Sequence, residues 1–417
     1  MKAVNLGRRS FLFLQGPPGP LFALLAERLR ERGHTVYRIN LNGGDQRDWP
    51  TAATAYRGTM SNWPLFVHDF MEKHRITDLI LYGDCRPVHV AAHGMAQLRG
   101  VAIHVLEEGY IRPDWMTWEP DGVNGHSTLP KDPDWYLDQA SRLPPLPDLP
   151  PITASFRRRA YDSYQHYHRI ITGRWRYPFY RTHRPGSLLG EGLSWMVRLA
   201  TEQRRMRRAD AVLEQLKGQP YFLLPLQLSS DYQIRIHSPF ADMRSAARLI
   251  ISSFARYAPP GTYLLVKDHP LYSGIRNWGR FVRRQAAELG MGNRIIHISG
   301  GNLDMLSAQS LGMVCVNSTS GTLALGAGTP VKVLGEAVYD MPGITDQQQL
   351  DRFWSAPQAP DPRIWEAFRR VLHARCLIRG GLASQSAIAI LLDGLIERLC
   401  PENDMPAIAM PAIACLS

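Results

Sequence analysis

Short apolar runs that turn polar only at their C-terminal ends recur along this chain, separated by segments of helical period. Tyr263–Val266 leads into Lys267-Asp-His-Pro270, Val101–Leu106 into Glu107-Glu-Gly109, and Gly312–Val316 into Asn317-Ser-Thr-Ser-Gly321. A strand covered on both faces has room for charge only where it leaves the sheet. Open parallel α/β sheets bind ligands at the carboxyl ends of their strands. The pattern therefore predicts an α/β fold whose strand tips gather over one substrate.

The chain order supports this. Ser10–Leu14 reads as a strand, and Gly16-Pro-Pro-Gly-Pro20 as a tight loop. Leu21, Leu24, Leu25 and Leu29 then share one face of a helix that Gly33 closes, before a strand at Val36–Ile39. The loop is not GxGxxG, so it carries little dinucleotide signal. Helix at Phe66–Arg75, strand at Asp78–Tyr82, helix at Val88–Arg99 and strand at Val101–Leu106 continue the alternation. Tyr110 to Pro151, rich in Trp, Pro, Asp and Gly, reads as a long ordered loop, with Pro144–Pro151 extended. A second series starts at Tyr221–Leu226 and runs through strands at Tyr263–Val266, Arg294–Ile298, Met313–Val316 and Val331–Leu334, with helices between. Helix returns at Arg363–His373 and Ser384–Leu399. A chain of 417 residues exceeds what one core organises. The expected division is an N-terminal Rossmann-like domain over 1–150, a basic helical segment over 151–215, a C-terminal Rossmann-like domain over 216–380, and a helix with a mobile tail over 381–417.

The basic segment carries Arg157-Arg-Arg159 and Arg204-Arg-Met-Arg-Arg208, with Tyr161, Tyr164, Tyr167, Trp175, Tyr177 and Tyr180 between. It is either a solvated helical face or a surface for phosphates, as in lipid headgroups or nucleic acid. The net charge of +11 favours an anionic partner. Ordinary apolar (45%) and charged (20%) content excludes wholesale disorder. The five cysteines are scattered without metal spacing, which predicts reduced thiols and no metal centre. No run is long enough to span a bilayer, and Phe11–Leu14 is too short for a signal-peptide core. A cytoplasmic protein is expected.

Four tips carry candidate chemistry. Glu107 and Glu108 follow a buried strand, where desolvation prepares a carboxylate for acid/base work. Neighbours on a strand point opposite ways, and Glu108, beside Gly109, is the one expected to face the cleft. His269, with Lys267 and Pro270, can donate to a phosphate or protonate a leaving oxygen, although an ordinary loop histidine would look the same. Asn317, Ser318, Thr319 and Ser320 start a helix and offer either an anion cradle or simple caps. Gln227, Asp231, Gln233, Arg235 and His237 crowd the segment after Tyr221–Leu224. They read as a nucleophilic or charge-stabilising carboxylate with orienting partners, or as a hydrated interdomain loop.

Together these phrases resemble known families. Glu-Glu-Gly, His-Pro and the Ser/Thr tip are similar to motifs of bacterial CMP-sugar transferases such as sialyltransferases. Pro225-Leu-Gln227, Asp231-Tyr-Gln-Ile-Arg235, His237-Ser-Pro-Phe240, Lys267-Asp-His-Pro270, Asn317-Ser-Thr319, Gly328-Thr-Pro-Val-Lys-Val-Leu-Gly335 and Tyr339-Asp-Met-Pro-Gly343 resemble capsule polysaccharide biosynthesis/export proteins of the KpsS/LipB type. The resemblance spans Phe11 to Trp354. It implies a GT-B-like fold, two Rossmann-like domains facing across a cleft, and a retaining β-Kdo transferase. Such an enzyme moves Kdo from CMP-Kdo onto a lipid, of phosphatidylglycerol type, at the cytoplasmic face of the inner membrane alongside other capsule assembly proteins. No cofactor beyond the CMP-Kdo donor is implied. On this reading Asp231 is the nucleophile, Glu108 the acid/base and His269 the partner of the departing phosphate, with the roles of Glu108 and Asp231 exchangeable. Gln227 and Gln233 orient Asp231. Arg235, His237, Lys267, Pro270, Glu107, Gly109 and the Asn317–Ser320 tip line the substrate. Another CMP-ulosonic acid transferase, a nucleic-acid-binding protein and an inactive scaffold are the alternatives. No nucleic-acid-binding signature is present, and a scaffold needs none of these polar tips.

Overall fold

The computed structural model describes residues 8–182, 188–228, 232–270, 272 and 277–401. The first series begins with β1 (Ser10–Phe13), α1 (Leu21–Glu31), β2 (Thr35–Asn40), α2 (Gly43–Asp48), β3 (Thr54–Ala55) and α3 (Trp63–Lys73). It continues with β4 (Asp78–Tyr82), α4 (Pro87–Leu98), β5 (Ala102–Glu108), β6 (Trp115–Pro120) and α5 (Pro133–Ser141). Two helices follow, α6 (Phe156–Thr172) and α7 (Leu188–Gln215). The second series comprises β7 (Tyr221–Pro225), α8 (Tyr232–Ile236), α9 (Met243–Tyr257), β8 (Tyr263–Lys267), α10 (Trp278–Glu288) and β9 (Ile295–Ile298). It is completed by α11 (Leu303–Gln309), β10 (Gly312–Cys315), α12 (Ser320–Gly326) and β11 (Val331–Val333). The described chain closes with α13 (Leu350–Phe353), α14 (Pro362–Arg375), β12 (Leu377–Arg379) and α15 (Gln385–Leu399).

Two sheets result. The first runs β12-β6-β5-β4-β1-β2-β3, and the second β11-β10-β7-β8-β9. Every pairing in the second sheet is parallel. The first is parallel from β5 to β3, with β6 and β12 added antiparallel. Two largely parallel α/β sheets are what the alternation predicts, and they agree with the two Rossmann-like units that the resemblance implies. In each sheet the chain reverses its direction of winding between two neighbouring strands, β1 and β4 in the first, β7 and β10 in the second. The crevice outside such a reversal is where an open sheet binds ligands.

The central strands are short and almost wholly buried: Phe11–Leu14, Leu79–Leu81, Phe222–Leu224 and Leu264–Val266 are inaccessible or nearly so. The helices start where polar caps stand ready. Asp242 and Ser245 form a reciprocal capping box on α9, and Ser384 caps α15 through the Ala387 amide at 3.0 Å.

Two expectations need correction. Residues 110–151 are not one loop. Trp115, Thr117 and Trp118 are strand-forming residues; β6 pairs with β5 as a hairpin through Met116–Pro120, with Trp115 opposite Arg379 of β12, while Pro133 opens α5 behind its Asp132 cap. Gly109 permits the hairpin, because a Cβ there would strike the Trp115 carbonyl. The boundary at 380 is also displaced. After α13 the chain returns to the first unit: Tyr136 of α5 packs on Phe368 of α14 with ring centroids 5.2 Å apart, and β12 pairs with β6. Leu391, Leu392, Leu395 and Leu399 of α15 join the cluster of Phe11, Phe13 and Leu25. Each such side chain stabilises by about 1.5–3 kcal/mol when fully buried, which is why the apolar face of α15 closes the first unit. The repeated Met-Pro-Ala-Ile-Ala tail lies outside the described residues.

Candidate active site

At the first reversal the tips of β1 and β4 open into a cleft of about 170 Å³, lined by Gln15, Gly16, Tyr82, Arg86, Arg159 and His166 among others. Its floor is a buried polar network. Arg38 pairs with Asp45 at 3.5 Å and donates to Asn40 Oδ1 at 2.9 Å and to the Leu14 carbonyl. Asp45 also accepts from the Leu41 amide at 3.0 Å and from Gln15 Nε2 at 3.3 Å. The roof is α6, whose buried His166 holds Asp48 at 2.6 Å. Gly43 and Gly44 let α6 approach, since a Cβ on either would strike Arg169 or His166.

Glu107 and Glu108 leave the sheet in opposite directions, as strand geometry requires. Glu108 turns to α6, where it pairs with Arg159 and accepts from Tyr82 Oη at 3.5 Å. Glu107 accepts from Asn124 Nδ2 at 3.0 Å. The turn bearing Asn124 is the one that meets the second unit: His126 lies edge-to-face with His237, centroids 4.5 Å apart. The side chain on that side of β5 is thus Glu107, whereas Glu108 faces the α6 cleft. On the Glu107 side of the hairpin, opposite Val105, lies Glu119, buried on β6, which sequence reasoning passed over. It accepts from Ser127 Oγ at 2.6 Å and from Tyr110 Oη. Burial dominates there and pushes its carboxyl up to about 7. Tyr110 Oη in turn accepts from the Asn124 amide at 2.6 Å, so this chain of contacts fixes the turn.

At the second reversal Gln227 and Asn317 hold one another across the tips of β7 and β10. Gln227 Nε2 donates to Asn317 Oδ1 at 2.9 Å, and the Asn317 amide donates back to Gln227 Oε1 at 3.2 Å. Asn317 Nδ2 then donates to the His237 carbonyl at 3.0 Å. Three sequence candidates are thereby joined directly, two of them as positioners of the third. The His237 ring is buried, with Nε2 at 3.2 Å from Cys85 Sγ and Nδ1 at 3.6 Å from Glu336. Desolvation, then the neighbouring His126, hold its pKa below the usual imidazole range. Asp231 lies outside the described residues. So does the side chain of Gln233, although its backbone belongs to α8. Arg235 is exposed on the same short helix.

The β8 tip is electropositive. Desolvation comes first in pushing His269 down to about 4, followed by the charges of Arg112, Lys267 and Arg198. The imidazole is therefore neutral near pH 7, surrounded by three cationic side chains from separate segments. Lys267 is buried and lowered by the same desolvation. Arg198 also ties the tip to α7, donating to the Pro270 carbonyl at 2.8 Å and to that of Tyr272. Asp268 turns away. Burial pushes it up, but hydrogen bonds from His297 at 2.9 Å and Ser299 at 2.7 Å outweigh this and leave it below the usual carboxylate range.

Ser318 and Ser320 are partly exposed and bond to each other at 2.9 Å, and Tyr339 donates to the Ser318 carbonyl. Thr319 shows no side-chain cap on α12. Thr322 Oγ1 donates to the Tyr110 carbonyl at 3.0 Å, which fastens the β5–β6 hairpin onto α12. The Glu-Glu-Gly hairpin thus bridges both units.

Sequence reasoning missed Arg112, Arg198, Asp84, Cys85 and His126. For Asp84 and Cys85 the signal was available: Gly83-Asp-Cys-Arg-Pro87 follows the buried β4 as a fifth polar strand tip. Although no metal centre is expected from cysteine spacing, one donor atom each from Asp84, Cys85, His126 and His237 lies within 4.8 Å of the others. Among the described residues no helix is long and apolar enough to cross a membrane.

The family described as capsule polysaccharide biosynthesis protein matches residues 77–382, from the start of β4 beyond β12. The chain belongs to that family. Its relatives include the capsule polysaccharide modification protein LipB of Neisseria meningitidis serogroup B, 34% identical over 386 residues, 90% of this chain and 92% of that protein. The capsule polysaccharide export protein KpsS of Escherichia coli is 34% identical over 379 residues, 88% of this chain and 95% of that protein. Among solved structures, the β-Kdo 2,7 transferase of Thermosulfurimonas dismutans KpsC aligns over 92% of this chain and 99% of that one, with 15% identity and a TM-score of 0.43.

Proposed function

We propose that this capsule-family protein is a retaining β-Kdo transferase that moves Kdo from CMP-Kdo onto an anionic lipid of phosphatidylglycerol type. The observation that carries the reading is the electropositive β8 tip. A neutral His269 among Arg112, Lys267 and Arg198 suits a nucleotide phosphate that gains charge as the sugar leaves. The family and the order of the motifs supply the sugar chemistry.

In the proposed sequence, the Asp231 carboxylate attacks the anomeric carbon and the bond from that carbon to the phosphate oxygen breaks. The electron pair leaves on CMP, beside His269 and Lys267. The acceptor hydroxyl then gives its proton to a carboxylate of the Glu107–Glu108 pair and displaces Asp231, so that two inversions give retention. Glu108, at the α6 cleft, is the carboxylate nearer a site for an acceptor headgroup. Gln227 and Asn317 act by fixing the His237 segment. No cofactor besides the donor is required in this scheme.

The lipid is met, on this reading, by the outer face of α6 and the turn after it. Arg157, Tyr161, Tyr164, His168, Ile171 and Trp175 are all exposed there, while Asp162 and His166 face inward. Aromatic and basic side chains together favour an anionic membrane interface, which supports reading the protein as peripheral on the cytoplasmic side of the inner membrane; contact with other capsule assembly proteins is part of the same proposal. Arg158 and Arg159 are not part of that face, because Asp162 and Glu108 hold them.

The test is CMP release from CMP-Kdo by the purified protein, with and without a phosphatidylglycerol-type acceptor, and with CMP-sialic acid in parallel. Acceptor-dependent release from CMP-Kdo, lost in folded Asp231→Ala, is the expected result. Preference for CMP-sialic acid would move the donor within the ulosonic acids. A folded protein that binds no CMP would end the transferase reading.

A further inference from the structure

We propose that Asp84, Cys85, His126 and His237 form a binding site for one zinc-class divalent cation at the seam between the two units. The four side chains come from three separate segments: the β4 tip, the turn after β6, and the end of α8 in the second unit. Cys85 Sγ lies 3.2 Å from His237 Nε2 and 3.1 Å from Asp84 Oδ1, and Asp84 Oδ2 lies 3.0 Å from His126 Nδ1. A tetrahedral zinc site with arms of about 2.0–2.3 Å has edges of roughly 3.3–3.8 Å. These three edges fall a little short of that and the remaining ones lie within 4.8 Å, so adjustments of up to about an ångström would admit the ion.

The donor set selects the metal. One sulfur, two imidazole nitrogens and one carboxylate oxygen suit a borderline cation such as zinc, and suit magnesium or calcium poorly. The outer contacts are those a metal histidine needs. Glu336 stands 3.6 Å from His237 Nδ1, the ring atom left after ligation through Nε2. The Val123 amide donates to Asp84 Oδ2 at 3.1 Å, and the Asn317 side chain holds the His237 carbonyl. Asp84, Cys85 and His237 are buried, while His126 is 50% exposed and provides the way in. Gly125 belongs to the same design, because a Cβ there would strike the His237 ring and Glu336.

Four protein ligands make a closed site, so its role is to pin the units across the cleft. The same contacts would also arise in a metal-free cluster held by the thiol and imidazole protons. A metal titration separates the two. It reads metal content and spectra, so its failure is distinct from failure of the transferase reading.

The full-length protein, produced with added zinc and dialysed against a weak chelator, should retain about one zinc per chain. Replacement by Co²⁺ should give the intense visible bands of a tetrahedral site and a thiolate-to-cobalt charge-transfer band. Cys85→Ser should abolish the charge-transfer band. Glu336→Gln, at a side chain 63% exposed and so compatible with folding, should weaken zinc binding about 10- to 100-fold. His68→Ala removes a ligand from the other cluster, His68, Asp69 and Glu72 on the outside of α3, and should change nothing. Folded protein that retains no zinc and gives no tetrahedral Co²⁺ spectrum would overturn the proposal in favour of the hydrogen-bonded cluster. So would full retention of the metal and of the charge-transfer band in Cys85→Ser.

Discussion

His269→Asn tests the electropositive tip through stability alone. His269 has a folded pKa of about 4 against 6.5 for a free imidazole, with desolvation first among the causes and the charges of Arg112, Lys267 and Arg198 adding to it. The fold therefore prefers the neutral ring. Below pH 6.5 the unfolded chain takes up a proton that the folded one refuses, so stability falls with pH from 6.5 to about 4 and then levels off. At pH 5 the unfolded imidazole is almost fully protonated and the folded one about a tenth, and linkage gives a loss of about 2 kcal/mol relative to pH 7. Other groups move across the same window. His373, also lowered to about 4 by burial and then by Arg369, acts in the same direction, while Glu119, raised to about 7, gains stability as pH falls. The measurement is accordingly a difference: urea unfolding at pH 7 and pH 5 for wild type and His269→Asn. The wild type should lose about 2 kcal/mol more than the variant between the two pH values. Equal losses would mean that the imidazole is not held neutral, and the argument for the phosphate site would fail with it. In the wild type, adding CMP should raise the pKa of His269 seen by NMR titration.

Three further outcomes are expected. Arg38→Met leaves Asp45 buried without its cation and should destabilise the fold by about 3–5 kcal/mol in chemical denaturation, whereas a loss below about 1 kcal/mol would show that Asp45 finds another partner. Gly109→Ala drives a Cβ into the Trp115 carbonyl and should lower stability by roughly 2–4 kcal/mol, read as a drop in Tm; an unchanged Tm would refute the hairpin argument. Trp175→Ala, at a side chain 75% exposed, should weaken binding to anionic vesicles roughly 3- to 10-fold, and wild-type binding should fall as salt rises. Salt-independent binding would count against the α6 face as a docking surface.

The sheet tips were legible because burial confines polarity to the ends of strands: Gln227, Lys267, His269 and Asn317 could be read from their positions after Tyr221–Leu224, Tyr263–Val266 and Gly312–Val316. What those side chains do with one another was not legible. Nothing in the local pattern shows that Gln227 and Asn317 bond to each other, because the reversal between β7 and β10 joins residues 90 apart. Nor does it show that Arg112 and Arg198 reach His269 from other segments. The choice between Glu107 and Glu108 depended on what covers each face of β5, which is decided by α6 and by the Asn124 turn. β6 was hidden by its own Trp and Pro content, and β12 by its length of three residues.

The return of the chain to the first sheet constrains the order in which the protein can be made. The face of that sheet formed by Phe11, Phe13 and Ile80 is covered in part by Leu391 and Leu395. On a ribosome the first unit would leave this apolar surface open while the whole second unit is synthesised, although domains otherwise tend to fold as they emerge. Nascent chains stalled before residue 377 should therefore lack protease resistance in the first unit, and a fragment cut at the end of α7 should aggregate rather than fold. The second unit, contiguous from β7 to β11, would complete its own sheet before the first one closes.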